Sequence, residues 1–474
     1  MIRNIKSLRT HSTPQKSRSI NTKIAAQAVA YVSTAHSLFN PRPVADAGPG
    51  LPDVSVYPDA VRQTIEGFGG AFNEKVWQAL SVLDEAQRRE VIRRLFDPAE
   101  GLGFSVCRVP IGSSDYALDR YTLNETAGDF EMKHFSIERD RRHLIPFIKE
   151  AMVFQPRLRL WASAWTPPTW MKDNRAFDSG AFLDDPKMFR AYALYLLKFI
   201  RAYGAEGLPI EAVAVQNEPG TLTNYPSCDW TAVQYLTFIR DHLGPLFQAE
   251  GLDNAIMLGT FNQPMLAGHA LTVLTDAHAR RHIALAGMQW YSLAFMGQLK
   301  AAAPGLTVWQ TETDCGNWHW LPGYDPDKPQ NDIAYASFTW EKIRDWLKAG
   351  VSVYELWNMV LDPWGKSIDS KRPWPQNSAI TVNPETREVR YTPMFGAIGS
   401  FAKFVRPGSR MVETEGTFTN ALAFTGADGR VVVVLHNNNA VRVDVRVRIR
   451  GTVHLVELPP LSFATVVTNG QTSA

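Results

Sequence analysis

Two glutamates carry the chemistry this sequence suggests, and each closes a short apolar run. One run is Ala212-Val213-Ala214-Val215-Gln216-Asn217-Glu218-Pro219; the other is Leu306-Thr307-Val308-Trp309-Gln310-Thr311-Glu312-Thr313. Both are rich in apolar and β-branched residues, as strands are, and both place the carboxylate at the C-terminal end. Two carboxylates that face one another can cleave a glycosidic bond. One protonates the departing oxygen, and the other attacks the anomeric carbon or activates water. A lone Glu at a strand end is ordinarily a solvated loop residue or half of an ion pair. The Asn217-Glu218-Pro219 context argues for more. Asn217 sets a neutral donor beside the carboxylate, and Pro219 biases Glu218 toward extended backbone, which would set its side-chain direction.

The two glutamates lie 312 − 218 = 94 positions apart, so a fold must bring them together. Strand-like runs over 65–72, 105–111, 157–164, 212–217, 256–261, 284–291, 307–312 and 352–359 alternate with helical patterns such as 84–95, 139–152, 186–203 and 332–349. That alternation implies parallel βαβ units, and eight of them imply the α/β class and a closed (β/α)8 TIM barrel. The C-terminal strand ends of such a barrel share one face, where the two carboxylates can meet. After Phe404 the pattern changes to short alternating strands at 421–424, 431–435, 441–449 and 453–457, parted by turn signals such as Gly426-Ala427-Asp428-Gly429. This predicts an attached antiparallel β-sandwich that recruits a strand near 54–65. The expected division is a catalytic barrel over 65–404 and a sandwich side domain built from 52–64 plus 405–474, with 40–51 as a linker.

Composition narrows the partners. Hydrophobic residues are 45% and charged residues 20% of the 474, which is ordinary globular usage. A net charge of +2 is too balanced for nucleic acid or an anionic membrane surface. Fourteen Trp and fourteen Tyr suit a carbohydrate, whose C–H faces stack on rings, although most such rings serve the core. Cys107, Cys228 and Cys315 are odd in number and widely spaced, so neither a disulfide framework nor a zinc site is expected. There is no HExxH pattern, and neither a catalytic metal nor a cofactor is expected. No apolar run approaches the roughly 18 residues of a membrane span. Residues 1–23 carry Arg3, Lys6, Arg9, Lys16, Arg18 and Lys23 and no acid, and a weak apolar run over 24–32 follows. Residues 1–40 read either as a signal peptide with a long basic leader, giving a secreted or periplasmic protein, or as a disordered tail on a cytoplasmic one.

Further motifs run in order along the chain. They are Gly67-Phe68-Gly69-Gly70-Ala71-Phe72, Arg108-Val109-Pro110, Ala162-Ser163-Ala164-Trp165-Thr166-Pro167-Pro168-Thr169-Trp170-Met171-Lys172, Gln216-Asn217-Glu218-Pro219, Thr311-Glu312 and Lys403-Phe404-Val405-Arg406-Pro407-Gly408. The first lacks the spacing and the Lys-Ser/Thr ending of a phosphate loop and reads as a tight turn. Each motif is weak alone. Their order and spacing together resemble glycoside hydrolase family 30, the family of glucosylceramidases and endo-β-1,6-glucanases, from about Gln63 to the C-terminus.

The resemblance implies that Glu218 is the general acid/base and Glu312 the nucleophile, with retention of configuration. It also implies that Asp115 binds hydroxyls of the sugar in the −1 subsite, that Asn217 bonds its 2-hydroxyl, and that Trp165 and Trp357 shape the pocket. For Trp357 a purely core role is the competing reading. Arg108, at the end of the second strand, is the cation that would keep the nucleophile ionised; its alternative is a structural ion pair. Glucosylceramidases carry His-Trp-Tyr on the sixth strand, where this chain has Gln289-Trp290-Tyr291. Gln289 and Tyr291 join the substrate-binding set. Together with Glu312-Thr313-Asp314-Cys315-Gly316-Asn317 and Trp374-Pro375-Gln376-Asn377-Ser378, they lean toward the β-1,6-glucanase branch. The expectation is a retaining β-glucoside hydrolase favouring β-1,6-glucan. A glucosylceramidase or exo-acting β-glucosidase with the same pair is the alternative. A non-catalytic carbohydrate-binding protein is a remote one, since both carboxylates are present.

Overall fold

In the computed structural model, residues 28–252 and 255–469 are described. Eight strands, β1 (Gly67–Ala71), β2 (Val106–Ile111), β3 (Arg159–Ala164), β4 (Ile210–Ala214), β5 (Ile256–Phe261), β6 (Leu285–Met288), β7 (Thr307–Gln310) and β8 (Val353–Asn358), pair in chain order and close into a barrel. Every pairing is parallel, β8 to β1 included. The strands are buried along nearly their whole length, so they read as continuous apolar runs rather than alternating ones. Gly69 shows why β1 needs glycine: a Cβ there would lie 1.6 Å from the Val106 carbonyl oxygen on β2.

Local chemistry sets the helix ends. Asp84 accepts from the Gln87 amide ahead of Glu85–Phe96, and Asp185 accepts from Lys187 ahead of Pro186–Ala205, which has proline in its first turn. Ile333–Ala349 stops at Gly350, whose φ of 91° is the left-handed conformation that glycine adopts without penalty. The predicted helix over 139–152 starts later, at Leu144, because 139–143 belong to the long loop after β2. Asp140 of that loop is wholly buried against the hydroxyls of Tyr121 and Tyr203.

Inside the barrel, Val106, Trp161, Ala212, Ala214, Met257, Leu285, Trp309 and Val353 form an apolar plug of large against small residues. Arg108 and Ser163 come later along β2 and β3, and Glu312 just past the end of β7, beyond the plug and at the C-terminal mouth.

The sandwich is one ten-stranded sheet folded over a core of its own. Its order is Asn40–Pro43, Ala28–Ser33, Ser462–Thr468, Val431–Asn437, Ala421–Thr425, Arg410–Gly416, Val54–Thr64, Val443–Ile449, Thr452–Leu458 and Ala45–Asp46. The long strand Val54–Thr64 pairs antiparallel with Arg410–Gly416, with two register shifts, and parallel with Val443–Ile449, so it joins the two halves of the sheet. Ala30, Val32, Val433, Leu435, Ala464 and Val466 of one half pack on Val445, Val447, Val456 and Leu458 of the other.

The N-terminal reading needs correction here. Part of the stretch assigned to a leader or tail over 1–40 is the strand Ala28–Ser33, paired on both sides, with Ala28, Ala30 and Val32 pointing into the core. Ala28-Val29-Ala30-Tyr31-Val32 is apolar throughout while its burial alternates, and a short continuous apolar run does not by itself distinguish a strand from a leader. The linker read over 40–51 supplies short strands at the two edges of the sheet, and in Asn40–Pro43 the prolines Pro41 and Pro43 remove donors that an edge would leave unpaired. The basic stretch 1–23 lies outside the described residues. Helix Pro393–Ala402, buried throughout, seats the sandwich on the barrel, and Thr465 donates to its Ser400 carbonyl at 2.6 Å. No helix among the described residues is long and apolar enough to cross a membrane.

Candidate active site

Arg108 is the hub of the barrel mouth. Its side chain is wholly buried, and each of its nitrogens finds a partner, on β3 or just past the ends of β4 and β7. Nη1 donates to Glu312 Oε2 at 2.7 Å, Nη2 to Asn217 Oδ1 at 2.6 Å, and Nε to Ser163 Oγ at 2.9 Å. The rings of Trp161, Trp165 and Trp357 stand 5.0, 4.3 and 5.5 Å from the guanidinium carbon. A buried cation is tolerable only when hydrogen-bonded and paired in this way, and ring faces add attraction.

Glu312 lies two residues beyond β7, and both its oxygens are held: Oε2 by Arg108 and Oε1 by the Trp290 indole at 2.7 Å. Glu218 lies four residues beyond β4. The extended backbone expected of a residue before proline is not what forms. Glu218 has φ 49°, in the left-handed region. Neighbouring strands impose this: the Asn217 amide donates to Ala164 O at 2.6 Å and the Glu218 amide to Thr260 O at 3.0 Å, so the turn is tied to the ends of β3 and β5.

A hydrogen-bond chain orients the amides. The Thr311 hydroxyl donates to Gln289 Oε1 at 2.9 Å, so Gln289 turns its Nε2 to Glu218 Oε1 at 2.8 Å. Asn217 Oδ1 receives Arg108, Thr260 Oγ1 at 2.9 Å and Gln289 Nε2 at 3.3 Å. That arrangement leaves the Asn217 amide nitrogen, on the cavity wall, free to donate.

Three acids share this space with one cation. Burial raises Glu218 to about 8; the charge of Glu312 pushes the same way and the Gln289 donor opposes. Burial also raises Glu312, against the pull of Arg108 and the Trp290 indole. Burial, then the Glu312 charge, raises Asp115 to about 8, while a hydrogen bond with Trp357 opposes. The counter-charge therefore serves Glu312 first, so it ionises before the other two.

The cavity above these groups measures about 500 Å³. Asp115, Trp165, Asn217, Glu218, Glu312 and Tyr291 line it; Arg108, Gln289 and Trp357 lie behind the wall, each exposed by no more than 1%. Trp357 packs on Trp165 at 5.1 Å and on Tyr116 at 6.2 Å, so it supports the wall rather than forming its surface. Trp290 and Trp374, which in the sequence mark only the branch, are also on the wall, as are Tyr225, His319 and Trp320, which no sequence pattern singles out. The same holds for Arg120, which bridges Asp178, Asn224 O and Ile368 O and staples the loops after β3, β4 and β8 together. No local pattern marks such residues, because their partners are remote in sequence. The three cysteines are free and buried.

Residues 65–405 match the TIM-barrel domain of glycosyl hydrolase family 30, and residues 408–466 match the β-sandwich domain of the same family. The lysosomal acid glucosylceramidase of Mus musculus is 28% identical over 408 residues, spanning 82% of this chain and 77% of that protein. The endo-1,6-β-D-glucanase of Neurospora crassa is 27% identical over 402 residues, 80% of each. Among solved structures, the endo-β1,6-glucanase BT3312 superposes with a TM-score of 0.81 at 23% identity, covering 94% of this chain and all of that one. With both domains matched in sequence and fold, the chain belongs to glycosyl hydrolase family 30 and is an O-glycosyl hydrolase.

Proposed function

We propose that the protein hydrolyses β-glucosidic bonds with retention, through Glu312 as nucleophile and Glu218 as acid/base, and that a β-1,6-linked glucan is its favoured substrate. The observation that carries the assignment of roles is the asymmetry between the two buried carboxyls. Glu312 is gripped by a guanidinium and an indole and ionises first; Glu218 has only a neutral amide donor and keeps its proton. In the first step Glu312 attacks the anomeric carbon as the bond to the leaving oxygen breaks, and Glu218 passes its proton to that oxygen. In the second, Glu218 takes a proton from water, which displaces Glu312 from the same carbon. The free Asn217 amide nitrogen is placed to donate to a hydroxyl of the bound sugar.

The substrate reading is supported by Gln289-Trp290-Tyr291 and by the similarity to proteins named endo-1,6-β-glucanases. The glucosylceramidase reading draws on relatives of similar identity. Product analysis separates them. Soluble gluco-oligosaccharides from pustulan, with little turnover of glucosylceramide, support the glucan; the reverse result overturns it.

The pH profile tests the roles. A general acid works only while protonated, so kcat/KM on oligosaccharides should fall as pH rises through about 8. A nucleophile works only ionised, so activity should also fall as pH drops through the raised value of Glu312. Asp115 titrates near 8 as well. A 2,4-dinitrophenyl glucoside departs without protonation, so its kcat/KM should lose the alkaline limb due to Glu218. Any limb that remains belongs to Asp115. An identical alkaline limb on both substrates would remove the support for Glu218.

Asp115 is the specificity residue of this reading. It is 6% exposed on the cavity wall, and a site built around hydrogen bonds to hydroxyls rejects substrates that lack them. Asp115→Ala should lower kcat/KM on glucosides by about 10²-fold or more. The loss on xylosides, which lack the hydroxymethyl arm, should be smaller. An unchanged glucoside-to-xyloside ratio would clear Asp115 of that role.

A further inference from the structure

Aromatic rings lead from the nucleophile to solvent. The Trp290 indole holds Glu312; Trp374 follows at 6.0 Å between ring centres, and Trp320 at 5.7 Å from Trp374. Exposure rises along this path, from 9% at Trp290 through half-buried Trp374 to 49% at Trp320. The outer rings are anchored: Trp374 donates its indole N–H to Asn317 O at 2.8 Å, and His319 packs against Trp374 at 6.0 Å and Trp320 at 4.7 Å. All four rings line the same cavity.

The rings come from loops after β6, β7 and β8, whereas Thr223, Asn262 and Gln263 reach the cavity from loops after β4 and β5. In a closed ring of eight strands, β4 stands across from β8. The space thus sets ring faces among polar groups: Asp369, Lys371 and Arg372 stand on the same loop as Trp374, and Leu222 and Tyr225 stand beside Thr223 on the loop after β4. Gln263 from the loop after β5 and Arg372 from the loop after β8 both line the cavity, and among the described residues their side chains make no hydrogen bond or ion pair, so their donors are open to a ligand. An alkyl chain would offer those donors no acceptor, whereas a sugar hydroxyl would. A hexose presents a C–H face to a ring and hydroxyls round its edge.

We propose that this aromatic wall is the subsite for the leaving-group sugar, with Trp320 as its stacking platform. The proposal rests on the catalytic reading above and adds what the enzyme holds on the departing side of the bond. The wall makes the enzyme selective for a saccharide leaving group over small or alkyl ones.

The test uses the full-length protein and three substrates: a β-1,6-linked glucotriose, octyl β-glucoside, and β-glucosyl fluoride, whose leaving group is too small to reach the wall. In Trp320→Ala, the ratio of kcat/KM for the triose to that for the fluoride should fall tenfold or more, mainly through KM. Trp320→Phe, which keeps a ring face, should recover most of it. Trp364→Ala is the comparison for loss of an exposed indole off the cavity, since Trp364 is 41% exposed and lines no part of it; its ratio should match wild type. A Trp320→Ala ratio equal to wild type would overturn the subsite. So would an equal loss on octyl glucoside, which would mark the wall as a slot for alkyl chains. Failure of wild type to release fluoride would sink the catalytic reading itself, and the subsite with it.

Discussion

Glu312→Gln is expected to lower kcat on every glucoside by on the order of 10⁴-fold or more, because a neutral amide cannot form the glycosyl ester of the first step. The fold should survive. The replacement is nearly isosteric, and the glutamine carbonyl can still accept from Arg108 Nη1 or the Trp290 indole, although not from both as two carboxylate oxygens do. Stability should nonetheless drop, since a wholly buried guanidinium loses its counter-charge; removing one partner of a buried ion pair costs about 3–5 kcal/mol where nothing replaces it. Thermal unfolding measures that loss separately from activity. The wild-type enzyme supplies a check that needs no variant: an activated 2-deoxy-2-fluoroglucoside should trap the ester, and peptide mass analysis should find the sugar on Glu312. A label on Glu218 or Asp115 would reverse the assignment.

The second large effect concerns Glu218. Glu218→Ala should slow substrates with poor leaving groups, such as oligosaccharides, by about 10²–10⁴-fold, the usual contribution of a positioned acid. Glucosides with an activated aryl leaving group depart unprotonated, so their first step should be nearly spared and the covalent intermediate should accumulate. Azide needs no general base and should then restore turnover, yielding β-glucosyl azide, whose configuration reports retention directly. A drop of the same size on both substrate types, with no azide effect, would indicate that Glu218 holds the turn at β4 rather than protonating the leaving group. The alternative has substance, since the Glu218 carboxyl also holds the buried Gln289 amide, a bond that alanine removes.

The barrel was legible because its signal is repetitive. Buried parallel strands leave apolar runs, and the helices between them leave amphipathic patterns such as 84–95 and 186–203. Strand ends were less so. The run over 284–291 yields only Leu285–Met288, since Trp290 turns left-handed with φ 53° to reach Glu312. The N-terminal strand was hidden because a short, unbroken apolar run after a basic stretch looks the same in a leader as in a strand, and its partner, Ser462–Thr468, lies at the far end of the chain. The same distance hid the aromatic wall: Trp290, Trp320 and Trp374 come from three loops and become one surface only when the barrel closes.

By itself, the sequence determined the class of fold, the two carboxylates and the residues to search around them. Residue type and strand period are local properties, and they survive in one dimension. It did not determine which carboxyl keeps its proton, because that depends on what surrounds each one in space. The tertiary structure sets the two apart by bringing Arg108 from β2 and Trp290 from the loop after β6 onto Glu312, while Glu218 receives only Gln289. It also sorted the expected binders into a wall of Asp115, Trp165, Asn217 and Tyr291 and a support of Arg108, Gln289 and Trp357. Burial and charge pairing are sums over neighbours that the chain gathers from some two hundred positions away, 312 − 108 = 204 for the ion pair at the centre of the site.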